Sequence, residues 1–271
     1  VGSEMCIRDR CCAVNLLLTS CVRQKYVVMD MVHHNPGEAM TESKFLDPSF
    51  LKKNEYGAKV FFLFEAAQFG IDWKSFDPSL FPDTTEAGRW VAEKAEIIHK
   101  KYDAAKKEDL QVYCMLDMLV LPSLLVEKHR TELTNEQGKL DISKPYTQLC
   151  IRELMKEMFE TFPQLDGLVI RTGETYLHDA PYYVGNHPVQ NGMYDHITLI
   201  NLLREEVCER RNKKLFYRTW DMGQLHSIPK YYLSVTDSIE PHPNLYFSIK
   251  HTMTDFWRSA ITDPDTVSYT H

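Results

Sequence analysis

Six short runs rich in β-branched and aromatic residues, each followed by polar residues and then a helical pattern, predict an α/β chain of the (β/α)8 TIM-barrel type. A second observation concerns where the polar residues fall. Nearly every run ends in functional side chains, and barrel enzymes draw their working residues from the ends of many different strands. A third is that no glycine-rich phosphate loop follows the first run, which counts against a doubly wound, nucleotide-binding sheet.

The runs cover residues 26–31, 60–64, 112–116, 167–170, 215–217 and 245–249. They are continuously apolar, as strands buried on both faces are, so the sheet is expected to be parallel and covered by helices. Residues 85–107 form the first clear crossover helix, with Trp90, Val91, Ile97, Ile98 and Tyr102 recurring among charges. Residues 145–162 follow the same rule with Leu149, Leu154, Met158 and Phe159, and residues 197–211 with Ile200, Leu203 and Val207. Leu46-Asp47-Pro48 and Phe76-Asp77-Pro78 read as turns that start helices. With about six βα units where closure needs eight, the barrel is expected to be truncated at its C-terminal end.

The 271 residues, 44% hydrophobic and 25% charged, suit one large domain. A net charge of −7 speaks against a nucleic-acid partner, which would want a basic face. No stretch approaches the ~20 apolar residues of a membrane span. Residues 1–10 (VGSEMCIRDR) and 267–271 (VSYTH) resemble translated sequencing-adapter DNA and are set apart from the catalytic domain, residues 25–265. Within residues 11–21, Leu18-Thr19-Ser20-Cys21 resembles a bacterial lipobox with Cys21 as the lipidated residue. That reading places the protein in the periplasm or cell envelope, tied to the membrane only through a lipid anchor. Cys114, Cys150 and Cys208 lie far apart without CxxC spacing and read as buried small hydrophobes.

The richest chemistry lies in LDGLVIRTGETY, residues 165–176, where an apolar strand delivers Arg171 and then Glu174 to its carboxyl end. A carboxyl group leaving such a strand can have its pKa raised by desolvation, as a general acid requires; the bland alternative pairs Glu174 with Arg171. The loop that follows, residues 176–196, carries Tyr176, His178 and Asp179, side chains that stack on sugar rings and bind hydroxyls. KLFYRTWD supplies Arg218 and Trp220, and NLYFSIKHTMTDF supplies Lys250, His251 and Asp255. Three cations at one rim suit a carboxylate-bearing substrate gripped by arginine, or else each neutralises a rim carboxylate. Glu38, Glu65 and Asp117, also after strands, are candidates for hydroxyl contacts.

The order GLVIRTGE, FYRTW, FSIKHTMTDF resembles glycoside hydrolase family 67, the α-glucuronidases. That resemblance implies a general acid at Glu174, basic substrate contacts at Arg171, Arg218 and Lys250, and a catalytic base at Asp255. It implies inversion, and an oligo- or polysaccharide substrate with an α-linked uronic acid. The family's second base, a glutamate on the next strand, and its auxiliary domain before the barrel are not matched. MVHHNPGE, VFFLFEAAQFGIDW and GETYLHDAPYYVG resemble, more closely, a group of bacterial lipoproteins regarded as glycosidases, over roughly residues 25–259. No cofactor is implied.

Two rival readings remain. His33-His34, His178, His196, His242 and His251 suggest a metal-dependent hydrolase on the same barrel, although adjacent His33 and His34 point to opposite strand faces. Aromatics at the mouth (Tyr176, Tyr182, Tyr183, Trp220, Trp257) would also serve a glycan-binding lipoprotein without catalysis.

Overall fold

The computed structural model describes residues 28–30, 43–62, 65–220 and 224–249. Six strands form one parallel sheet: β1 (Met29–Asp30), β2 (Ala58–Phe61), β3 (Gln111–Asp117), β5 (Gly167–Arg171), β7 (Lys214–Arg218) and β8 (Leu245–Ser248). Two short strands, β4 (Val120–Pro122) and β6 (Tyr183–Gly185), pair apart from it. The spatial order of the large sheet is β1-β2-β3-β5-β7-β8, so each strand lies beside its predecessor in that sheet. A doubly wound sheet would reverse direction at a central strand; this one does not. The six expected strands are therefore all present with shifted ends, and β1 and β8 are the sheet's edges among the described residues. No closed barrel forms among them.

Alternation along the strands divides the sheet into two faces. Val112, Cys114 and Leu116 of β3, Leu168 and Ile170 of β5, and Leu215 and Tyr217 of β7 join one large core with residues borne on helices. The other face carries a smaller cluster, Ala58, Val60, Tyr113, Met115 and Val169, packed with Met29, Phe62 and Phe216. Every member of the second cluster lies on a strand or next to one. Among the described residues the helices therefore cover one face, as right-handed crossovers in a sheet wound in a single direction require.

The covering helices follow their sequence patterns. Asp47 caps the short helix α1 (Pro48–Lys53) as expected, accepting from Ser49 N at 2.9 Å. Asp77 makes the same contact with Ser79 N but starts only a turn. Helix α2 (Glu86–Lys107) starts at Thr85, whose Oγ1 accepts from Gly88 N at 3.0 Å, and buries Val91, Ile98, Tyr102 and Ala105. The helix Pro145–Thr161 opens with proline in its first turn and buries Cys150, Ile151, Leu154, Met155 and Met158. The helix Met193–Leu203 begins earlier than its apolar pattern because Asp195 accepts from the N–H groups of Gln190 and Asn191, each at 2.6 Å. It continues into a π-helical turn, Arg204–Glu209.

One element departs from the sequence reading. The stretch expected to be loop after Tyr176 contains β6, antiparallel to β4. Leu119 and Asn186 exchange backbone hydrogen bonds at 2.9 and 3.0 Å just beyond this ladder. A Cβ on Gly185 would lie 2.4 Å from Leu119 O, so only glycine allows the approach. The resulting clasp ties the loop after β5 to the chain leaving β3.

Candidate active site

Along β3 the alternation that turns Tyr113 and Met115 away from the helices also turns Asp117 that way. The β3–β5 register places Arg171 beside it. Arg171 holds Asp117 by two parallel bonds, Nε to Oδ1 and Nη2 to Oδ2, the latter at 2.6 Å. This forked geometry is the strongest arrangement open to the pair. Gly173 then takes φ 99°, a conformation that L side chains resist, and the chain folds back on the carboxylate. Tyr176 N donates to Asp117 Oδ2 at 2.9 Å, and the Tyr176 ring centroid lies 4.6 Å from Arg171 Cζ. The Tyr176 hydroxyl donates to Glu174 Oε2 at 2.8 Å.

Arg218, on the same face of β7, completes the group. Its Nη1 lies 3.4 Å from Met115 Sδ, and no carboxylate stands at ion-pair distance from it among the described residues. Burial and the neighbouring Arg171 hold its pKa below the ordinary guanidinium value, while Asp117 and Glu174 act in the opposite direction. The three strands thus bring two cations and two carboxylates within electrostatic reach of one another. A recess opens beside them, lined by Phe62, Ala66, Gln68, Met115 and the Asp117–Arg171–Tyr176 cluster.

Several sequence expectations change here. Arg171 pairs with Asp117, not with Glu174. Glu174 is exposed, so the burial expected of a desolvated acid is not supplied by the described residues. Glu65 points to the helix layer, where Lys101 of α2 holds its carboxylate and Tyr102 donates to its carbonyl at 3.0 Å. Glu65 lies four residues beyond the end of β2, just before the 3-10 turn Ala67–Gly70. His178 and Asp179 are exposed and line a second, open cleft with Trp90, Lys94 and Pro181. Tyr183 is core rather than mouth, 5% exposed between Phe69 and Phe81. Tyr182 packs against Trp90, and Trp220 leans on His226 with ring centroids 5.6 Å apart.

His196 is buried beside the Tyr217 hydroxyl at 2.7 Å, and His242 accepts from Asn244 N at 3.1 Å. No group of three metal-ligating side chains forms among the described residues. The three domain cysteines are buried as expected, and burial pushes the Cys114 and Cys150 thiols up to about 12 and Cys208 to about 11. Thiols raised by burial in this way are poor nucleophiles. Cys21, Glu38, His33, His34, Lys250, His251, Asp255 and Trp257 lie outside the described residues. Sequence reasoning missed Gln68, a polar residue that no local pattern marks.

Fold and site together define an α/β protein whose polar cluster sits at the carboxyl ends of neighbouring parallel strands, where such sheets place their ligands. No family model and no curated protein matches the chain. Among solved structures it is similar to a GH138 enzyme targeting pectin rhamnogalacturonan II, at 15% identity and TM-score 0.43, covering 83% of this chain and 25% of that one. It is similar to dispersin B at 12% identity and TM-score 0.43, covering 84% of this chain and 64% of that one. A noncanonic maltogenic α-amylase, AmyB from Thermotoga neapolitana, matches at 13% identity and TM-score 0.40, covering 75% and 46% of the two chains. The chain spans between a quarter and just under two-thirds of the length of these three proteins.

Proposed function

We propose that this protein is a glycoside hydrolase that removes an α-linked uronic acid by general acid/base catalysis with inversion. The observation that carries the proposal is Glu174 held by Tyr176 beside the Asp117–Arg171 pair and Arg218, at the carboxyl ends of β3, β5 and β7. The motif resemblance assigns the same residues to the acid and the substrate contacts.

Because the Tyr176 hydroxyl donates to Oε2, the acid proton of Glu174 resides on Oε1. From there it passes to the glycosidic oxygen as the bond to the anomeric carbon breaks, and the leaving oxygen keeps the bonding pair. Water attacks the opposite face of that carbon and yields its proton to Asp255. Inverting enzymes hold the two carboxyls ~6.5–9.5 Å apart to admit this water. With Asp117 held by Arg171, Arg218 is the cation at the strand ends left to meet a sugar carboxylate. Lys250 supplements that charge. On the same proposal, the lipobox-like segment ending at Cys21 tethers the protein at the cell envelope.

The test is Glu174→Gln in the full-length protein, with methyl and nitrophenyl α-glucuronides as substrates. The methyl glycoside, a poor leaving group, should lose about 10²–10⁴-fold in turnover, as removal of an acid catalyst does. The nitrophenyl glycoside, which needs little protonation, should lose far less. Equal small losses on both would remove Glu174 from the acid role. Exposure of Glu174 favours one second reading, glycan binding without hydrolysis. Tight binding of glucuronate with no turnover of either substrate by the wild type would select it.

A further inference from the structure

We infer that Gln68 forms the floor of a hydroxyl-recognition site in the recess between the ends of β2, β3 and β5, reading one O–H of the bound sugar. The inference rests on the sugar-acting reading above and deepens it.

The backbone at Gln68 is fixed from two sides. Ala67 N donates to Cys114 Sγ at 3.1 Å, and the Tyr183 hydroxyl donates to Gln68 O at 3.4 Å. The side chain is almost wholly enclosed, 3% exposed, yet Oε1 is buried with no hydrogen-bond partner among the described residues. Folded proteins satisfy nearly all such atoms, because a sealed acceptor has given up water for nothing. Gln68 also lines the recess it shares with Asp117, Arg171 and Tyr176. That recess has room for a group the size of one water or hydroxyl.

The surrounding valences define what fits. Asp117 Oδ2 already accepts from Arg171 Nη2 and Tyr176 N, whereas Oδ1 accepts only from Arg171 Nε among the described residues. Those two bonds leave the remaining guanidinium N–H groups of Arg171 to donate elsewhere. On this inference an entering group meets the Gln68 amide oxygen and Asp117 Oδ1 as acceptors and Arg171 as a donor. A hydroxyl donates its one hydrogen to Gln68 Oε1 and accepts from Arg171, while Asp117 Oδ1 keeps its bond from Arg171 Nε. A carbonyl would leave Gln68 Oε1 unmet, and an ammonium would face the Arg171 charge. Tyr176, 39% exposed at the mouth, offers its ring as a platform for the sugar that carries the hydroxyl.

The experiment titrates the full-length wild type and Gln68→Met with D-glucuronate and its 2-, 3- and 4-deoxy analogues by calorimetry. In the wild type one deoxy analogue should bind about 10–100-fold more weakly, the loss expected when a site built for a hydroxyl meets none. In Gln68→Met that particular penalty should fall below about threefold while the other two persist. Gln68→Met should also melt no lower than the wild type, since it removes an unmet buried acceptor. Unchanged penalties in Gln68→Met overturn the inference and leave the sugar reading intact. Failure of the wild type to bind any of the four probes overturns the sugar reading itself, and the inference falls with it. A crystal structure of the wild type with glucuronate decides independently of any variant. A sugar hydroxyl against the Gln68 amide supports the site, and a water in that place with the sugar bound overturns it.

Discussion

Asp117 and Glu206 are both buried carboxylates held by arginine, and their surroundings could hardly differ more. Glu206, in the π-helical turn Arg204–Glu209, is 4% exposed and is met by Arg152, Arg210 and Arg211, whose nitrogens bond both of its oxygens. Glu205 takes up Arg152 and Arg210 a second time, and burial of the carboxylates is fully answered. At the strand ends, one arginine grips Asp117. Among the described residues, Arg218 close by has no carboxylate at ion-pair distance and Gln68 Oε1 has nothing to accept. The first cluster is closed. The second keeps unused hydrogen-bonding and charge capacity around a recess, which is what a ligand needs.

The comparison can be broken by substitution. Asp117→Asn should have the largest effect on the fold, about 3–5 kcal/mol by denaturant titration, because it strands Arg171 beside Arg218 in a buried place. Uronate binding should vanish with it. Glu206→Gln should cost about 2–3 kcal/mol, less because Arg152 and Arg210 are half exposed and can turn to water. Glucuronate affinity should stay within about twofold of wild type in that variant, since the site lies elsewhere. A large loss of affinity in Glu206→Gln would erase the functional distinction between the two clusters.

Arg218→Met sharpens the contrast from the other direction. A partly buried cation without an ion-pair partner contributes little to folding, so the variant should be within about 1 kcal/mol of the wild type, or more stable. The preference for glucuronate over glucose should fall by about tenfold or more, the usual contribution of a charged hydrogen bond. If glucose binds the wild type as well as glucuronate does, the cations at the rim are structural.

The smallest effect belongs to an ion pair outside both clusters. Lys128 and Ser79 hold the Asp77 carboxyl down at about 2. A carboxylate depressed in the folded state stabilises it above its unfolded value, and the benefit disappears as pH falls through the folded value. Asp77→Asn should therefore be about 1 kcal/mol less stable than wild type above pH ~5, after allowance for solvent screening. The two should converge as pH approaches ~2, which acid titration of the unfolding free energy would measure. A constant difference across that range would mean that packing, not charge, holds the turn.

The strands and main helices were legible in the sequence because their signals are local. A strand buried on both faces must be apolar throughout, as Val112 to Leu116 is, and a covering helix must repeat Val91, Ile98 and Tyr102 on one side. The cap at Asp47 and the delivery of Arg171, Glu174 and Arg218 to strand ends followed from the same short-range rules. Pairing was not legible. Arg171 is three residues from Glu174 and 54 from Asp117, yet the β3–β5 register gives it to Asp117. Glu65 follows a strand as Asp117 ends one, but its carboxylate is held by Lys101 of α2. The strands β4 and β6 are three residues each, too short for alternation to announce them, and Gln68 sits in a stretch that reads only as turn and core. Periodicity fixes what a segment becomes, because backbone geometry repeats within it; which side chains meet is set by register and crossover between segments far apart in the chain, and that only the tertiary structure decides.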